Sequence, residues 1–148
     1  MSKGPEQRYQ DKAPKGVTLT GWGTLLLGLV NVWRVLGLWR QIDLLLDLGV
    51  TPDPRLRLAI SVAWAMLFGA ATLIIWRRKR AAHWLAPGTI AVYGAYRTLL
   101  SIAAAQATGQ DVRIVGSLIF YGVLALFAVW AMNRPKAKRY FSGENQFV

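Results

Sequence analysis

The sequence predicts an all-α fold: a bundle of four transmembrane helices with both termini in the cytoplasm and an amphipathic extension after the first helix. Three observations predict it. Of the 148 residues, 54% are hydrophobic and the mean hydropathy is +0.31, too apolar for a soluble domain with a polar surface. The apolar residues fall into long runs, each near the roughly 20 residues that a helix needs to cross a hydrocarbon layer of about 30 Å. Most of the 18 lysines and arginines flank these runs, where cations fix membrane orientation.

Residues 1–16 are polar, with Lys3, Arg8, Lys12 and Lys15, and read as a disordered basic tail. The first crossing is expected over about 17–38. Beyond it Arg40, Asp43 and Asp47 recur at i, i+3 and i+7 among leucines, one polar helical face. Residues 39–49 therefore read as an interfacial continuation of the first helix, closed by Gly49. The prolines of Thr51-Pro52-Asp53-Pro54 stiffen the turn, and Asp53 and Pro54 suit the cap and first residue of a second helix over about 55–76.

The densest charge cluster follows, Arg77-Arg78-Lys79-Arg80. The third helix is expected over about 84–107. Pro87-Gly88 leaves two arrangements open: a surface turn with Pro87 opening the helix, or a continuous helix kinked there. Asp111 is expected to cap a fourth helix over about 112–133. Residues 134–148 read as a basic tail, with Arg134, Lys136, Lys138 and Arg139.

Sidedness follows from the distribution of cations. The amino tail, the second connection and the carboxyl tail hold four Lys/Arg each. The other six are Arg34, Arg40, Arg55, Arg57, Arg97 and Arg113. The positive-inside rule then puts both tails and the second connection in the cytoplasm, and four crossings return the chain to its starting side. The expected location is the bacterial cytoplasmic (inner) membrane, with the lipid bilayer as the first partner. A net charge of +11 could also mean nucleic-acid binding, but short tails and one short loop offer no broad basic face, so no nucleic-acid partner is expected.

Arg34 and Arg97 are arginines inside otherwise apolar crossings. At ~1.5 Å per residue, Arg34 lies roughly 25 Å along from Val17 and Arg97 roughly 20 Å along from Trp84. Both then fall in the outer half at similar depth. A charge near the bilayer centre costs ~2.5–3.5 kcal/mol, so it usually faces the bundle or a wet cavity. One reading is a small basic cavity holding an anion or lipid headgroup, with Asn31, Tyr93, Tyr96 and Tyr121 as polar neighbours. The other has both arginines snorkelling outward to Asp43, Asp47 or Asp111. Arg77, Arg78, Lys79 and Arg80 are the candidate contacts for anionic headgroups at the cytoplasmic surface.

Catalysis is not expected, and no cofactor or metal site is. There is no cysteine, so thiolate chemistry, disulfides and cysteine lipidation are excluded. Asp43, Asp47, Asp53 and Asp111 sit at the outer edge and Glu6, Asp11 and Glu144 in the tails. A membrane aspartyl protease, an Asp-based lipid phosphotransferase or a proton-coupled pump needs carboxylates within the helices. Asp43 and Asp47, one turn apart, could bind a cation but more commonly form a solvated face. His83 is the only histidine. Thr24/Gly28, Ala65/Gly69 and Ala91/Ala95 are small pairs at i, i+4 that allow close helix approach in lipid.

Three stretches carry a resemblance: Gly16-Val17-Thr18-Leu19 leading to Asn31-Val32-Trp33-Arg34, the segment from Trp76 through Arg80 to Pro87, and Arg134-Pro135-Lys136-Ala137-Lys138-Arg139-Tyr140-Phe141. In this order the chain resembles a broad group of uncharacterised small four-helix integral membrane proteins of Chloroflexi-type bacteria. The resemblance implies four helices and lends no activity or site residue.

Three functions remain open on these residues. The first is a non-enzymatic scaffold or accessory subunit of a larger membrane assembly, partnered by other membrane subunits. The second is an anion or lipid-headgroup binder or carrier using Arg34 and Arg97. The third is a module that recruits acidic partners through its cytoplasmic basic clusters.

Overall fold

The computed structural model describes residues 13–49, 53–108 and 112–142. Among them are five helices and no strand: α1 (Lys15–Asp47), α2 (Pro54–Trp76), α3 (Ala82–Thr108), α4 (Val112–Asn133) and α5 (Pro135–Ser142). Three helices are long and apolar enough to cross a membrane: α1, α2, and α4 over Ile114–Asn133. α3 has the length, at roughly 40 Å for its 27 residues. Thr89, Arg97, Thr98 and Ser101 interrupt its apolar run.

α1 runs without interruption for 33 residues, roughly 50 Å, well beyond the hydrocarbon thickness. No break separates the expected crossing from its amphipathic continuation, because Arg40, Asp43 and Asp47 keep the helical phase and nothing before Gly49 stops it. Gly49 takes φ +62° and its N–H bonds the Leu46 carbonyl at 3.1 Å, so it ends the helix as the sequence predicts. Asp53 caps α2: its side chain accepts from the Arg55 N–H at 2.8 Å, with Pro54 as first helical residue. Pro52 of the turn, the Asp111 cap, residues 1–12 of the amino tail and residues 143–148 of the carboxyl tail lie outside the described residues.

α3 passes straight through Pro87. Of the two arrangements open in the sequence, the continuous helix is the one formed. Pro87 lies in the second turn, where its missing N–H frees only the His83 carbonyl. A second difference is α5, which forms within the stretch expected as a basic tail. The helix is short and polar outside, and its signal is only Ala137 and Phe141 one turn apart. Both are buried against Val17, Ile75, Ala82, Ala86 and Met132, one residue or more from each of the four long helices. α5 thus lies across one end of the bundle.

The long helices pair as two antiparallel hairpins. Between α1 and α2, a Cβ on Gly21 would meet Ile75, Thr24 bonds Thr72 at 3.1 Å, and a Cβ on Gly28 would meet Phe68 at 3.3 Å. Numbers rise on one helix as they fall on the other, the register of an antiparallel pair. Between α3 and α4 the tightest approach is at Gly94, where a Cβ would stand 2.7 Å from the Tyr121 Cβ. The hairpins join through two clusters, one at the α5 end and one around Phe68, Ile90, Tyr93 and Ala128.

The bundle buries several polar side chains and exposes many of its largest apolar ones. Thr24, Asn31 and Thr72 are buried, while Trp33, Trp39, Met66 and Leu126 expose 78%, 68%, 70% and 71%. In water such a surface would be a continuous aggregation patch. In lipid it is the expected arrangement, because helix association there depends on small residues and internal polar contacts rather than on burying leucine.

Candidate functional site

Four of the six residues expected to form an intramembrane polar site meet at one place. Asn31 of α1 is buried, and its Nδ2 donates to the Leu27 carbonyl at 2.8 Å and to the Tyr93 hydroxyl at 3.2 Å. The Tyr93 hydroxyl can in turn donate to Asn31 Oδ1 at 3.4 Å. Tyr93 of α3 is fully buried and stands edge-on to three rings: Trp64 at 5.0 Å, Phe68 at 5.1 Å and Tyr121 at 5.6 Å. Tyr96 packs on Trp64 at 5.7 Å. Asn31 and Tyr93 therefore sit in a packed interior and are satisfied by each other, a polar pin that fixes α1 against α3.

Arg34 and Arg97 flank this pin, both half-buried and both within electrostatic reach of the Tyr93 phenol. They lie one turn further along their helices than Asn31 and Tyr93, which puts them on the same side of the pin. Arg97 Nε is buried and meets no acceptor. Among the described residues neither arginine pairs with Asp43 or Asp47; Asp111 lies outside them. The aromatic partners Trp64 and Phe68 carry no signal in the sequence, since nothing about an apolar run says which rings point inward.

The second candidate set lies at the α5 end. Arg77, Arg78, Lys79 and Arg80 are all exposed. Arg78 is at φ +53°, and the N–H groups of Arg78 and Lys79 bond the Ile75 and Ile74 carbonyls at 3.1 Å. This is the paired-bond cap that glycine normally makes. An arginine there accepts roughly 1–2 kcal/mol of left-handed strain. Its guanidinium lies 4.6 Å over the Tyr140 ring of α5, and Arg80 Nη2 donates to the Ser142 carbonyl at 3.3 Å. The His83 ring Nδ1 donates to the Arg80 carbonyl. A cleft of about 440 Å³ opens between Arg80, His83, Lys138 and Phe141. α5 thus brings Lys138 to the same cleft as Arg80. The described carboxylates Asp43, Asp47 and Asp53 all lie at the opposite end of the helices.

The small pairs divide. Thr24/Gly28 is spent inside the first hairpin. Ala91/Ala95 is exposed, on a shallow groove with Thr98, Gly122 and Ala125 between α3 and α4, and Gly94 makes the close approach instead. Comparison with protein families, with curated proteins and with solved structures gives no match to this chain.

Proposed function

We propose that the chain is a four-crossing protein of the bacterial cytoplasmic membrane, with both termini inside, serving without catalysis as a scaffold or accessory subunit of a larger membrane assembly. α3 packs antiparallel along α4, and a helix paired along the length of a crossing partner crosses with it. The cations of the second connection and of α5 share one end, which the positive-inside rule places in the cytoplasm. The observation that carries the subunit reading is the outward groove between α3 and α4, where the small residues Ala91, Ala95, Thr98, Gly122 and Ala125 lie with the exposed Leu99 and Leu118. Such a groove lets a neighbouring helix approach closely in lipid.

The absence of native cysteine makes the topology directly testable. In whole cells, an impermeant maleimide should label Leu48→Cys and Thr108→Cys, and should reach Lys79→Cys and Ser142→Cys only after permeabilisation. The reverse pattern rejects the orientation, and a protected Thr108→Cys rejects the fourth crossing. In mild detergent the chain should migrate with a fixed set of subunits, and Ala95→Phe should release it without unfolding it. A chain that always migrates alone ends the subunit reading.

One observation favours a second reading, an anion held by Arg34 and Arg97: the buried Arg97 Nε has no acceptor. Calorimetric titration with inorganic phosphate should then give a binding heat that Arg97→Gln removes. No heat from the unsubstituted protein ends that reading.

A further inference from the structure

α1 and α4 touch closely at the α5 end of the bundle and separate above it. A Cβ on Gly16 would stand 3.1 Å from the Ala131 Cβ, so the backbones are nearly in contact there. Two turns further in, the helices part around a groove of about 290 Å³ lined by Leu19, Trp22, Gly23, Leu26, Leu124 and Phe127, almost wholly apolar. Gly23 is decisive for its character. A Cβ there meets nothing within 4 Å, so the space beside it is open rather than filled by a packed neighbour.

The end of this groove is cationic. Lys15 precedes Leu19 by one turn, on the stripe that continues through Trp22, Gly23 and Leu26, and it is exposed. On the other wall Phe127 touches Trp130 at 5.8 Å, and the Arg134 guanidinium lies 3.7 Å over the Trp130 ring. A run of side-chain contacts therefore leads from the apolar groove through an interfacial tryptophan to an ordered arginine, with a lysine at the end of the opposite wall.

We infer that the α1–α4 groove is a binding site for one anionic phospholipid, its acyl chain lying along Gly23 and its phosphate between Lys15 and Arg134. A zwitterionic lipid fits the groove equally well, but its own ammonium offsets its phosphate, so charge complementarity to the two cations selects the anionic headgroup. Trp130 holds the arginine by its ring face, which fixes the cation at the depth where a phosphate lies. The inference rests on the chain being embedded in lipid and is independent of the subunit reading.

The test is thermal unfolding of the purified full chain in mild detergent, titrated with phosphatidylglycerol or with phosphatidylcholine. A ligand that binds only the folded protein raises its stability with the logarithm of its concentration over its Kd. Phosphatidylglycerol should stabilise more than phosphatidylcholine. Lys15→Gln with Arg134→Gln should raise the phosphatidylglycerol concentration needed for a given stabilisation roughly thirtyfold, at about fivefold per cation near a membrane surface, and leave phosphatidylcholine unchanged. Gly23→Leu should fill the groove and abolish the headgroup preference while leaving unfolding without lipid unchanged or raised. Three results would overturn the inference: equal stabilisation by both lipids, which is an annular lipid only; a preference that survives Gly23→Leu; and a preference removed by Arg77→Gln with Lys79→Gln instead, which assigns it to the diffuse charge of the basic end.

Discussion

Gly94→Ala is expected to destabilise the bundle by about 1–3 kcal/mol, the usual cost of forcing extra volume into a packed interior, although alanine is the better helix former by about 0.5–1 kcal/mol. The added Cβ would stand 2.7 Å from the Tyr121 Cβ and 3.3 Å from its Cγ. The obstructing atom is fixed to the α4 backbone, so no rotamer change relieves it. Either the two helices separate or Tyr121 tilts. A tilt would disturb the edge contact with Tyr93 and through it the bond to Asn31 of α1. Unfolding of the variant in detergent should therefore begin earlier. The control is specific: adding Tyr121→Ala should not rescue it, because the Cβ remains, whereas adding Tyr121→Gly should recover part of the loss. Rescue by Tyr121→Ala, or a variant as stable as the parent, rejects this packing.

The same residue shows what a sequence can and cannot disclose here. Helix class and helix ends were legible because their signals are local: Asp53-Pro54 and Gly49 each act within a few residues of themselves. The expected ends of 55 and 76 for the second helix differ from Pro54–Trp76 by a single residue at the start. Helix faces were not legible. In a soluble bundle the polar side marks the outside, but in lipid both sides of a helix are apolar and the periodicity flattens. Gly94 and Ala95 are adjacent and both small, and only packing sends Gly94 inward. α5 escaped for a different reason. Eight residues with five polar or charged side chains look like a tail until Phe141 finds the ends of the long helices.

The polar candidates were legible as types. Asn31, Tyr93, Tyr96 and Tyr121 drew notice because polar groups are costly in hydrocarbon, and the same cost drives Asn31 and Tyr93 together. Their role in the described interior is to satisfy each other. Arg34 and Arg97, one turn further along, are the residues of that set whose capacity for an external partner is unspent, and in Arg97 the unspent group is a named atom, Nε.

The other large effect is expected at Tyr93. Tyr93→Ala should cost about 3–5 kcal/mol, the range for removing a fully buried ring, because three aromatic partners at 5.0, 5.1 and 5.6 Å lose their common neighbour. Tyr93→Phe keeps those contacts and removes only the hydroxyl. Asn31 then retains the Leu27 carbonyl as partner for Nδ2, and the expected cost is that of an interhelical hydrogen bond in a membrane protein, about 0.6 kcal/mol and at most about 1.7. The two substitutions therefore separate packing from hydrogen bonding at one position. Asn31→Ala combined with Tyr93→Phe should cost less than the two singles added together, since both remove the same bond. If Tyr93→Phe proves as damaging as Tyr93→Ala, the hydroxyl rather than the ring holds α1 to the second hairpin. If the two substitutions at Asn31 and Tyr93 are strictly additive, the 3.2 Å contact contributes nothing and α1 is held to α3 by shape alone.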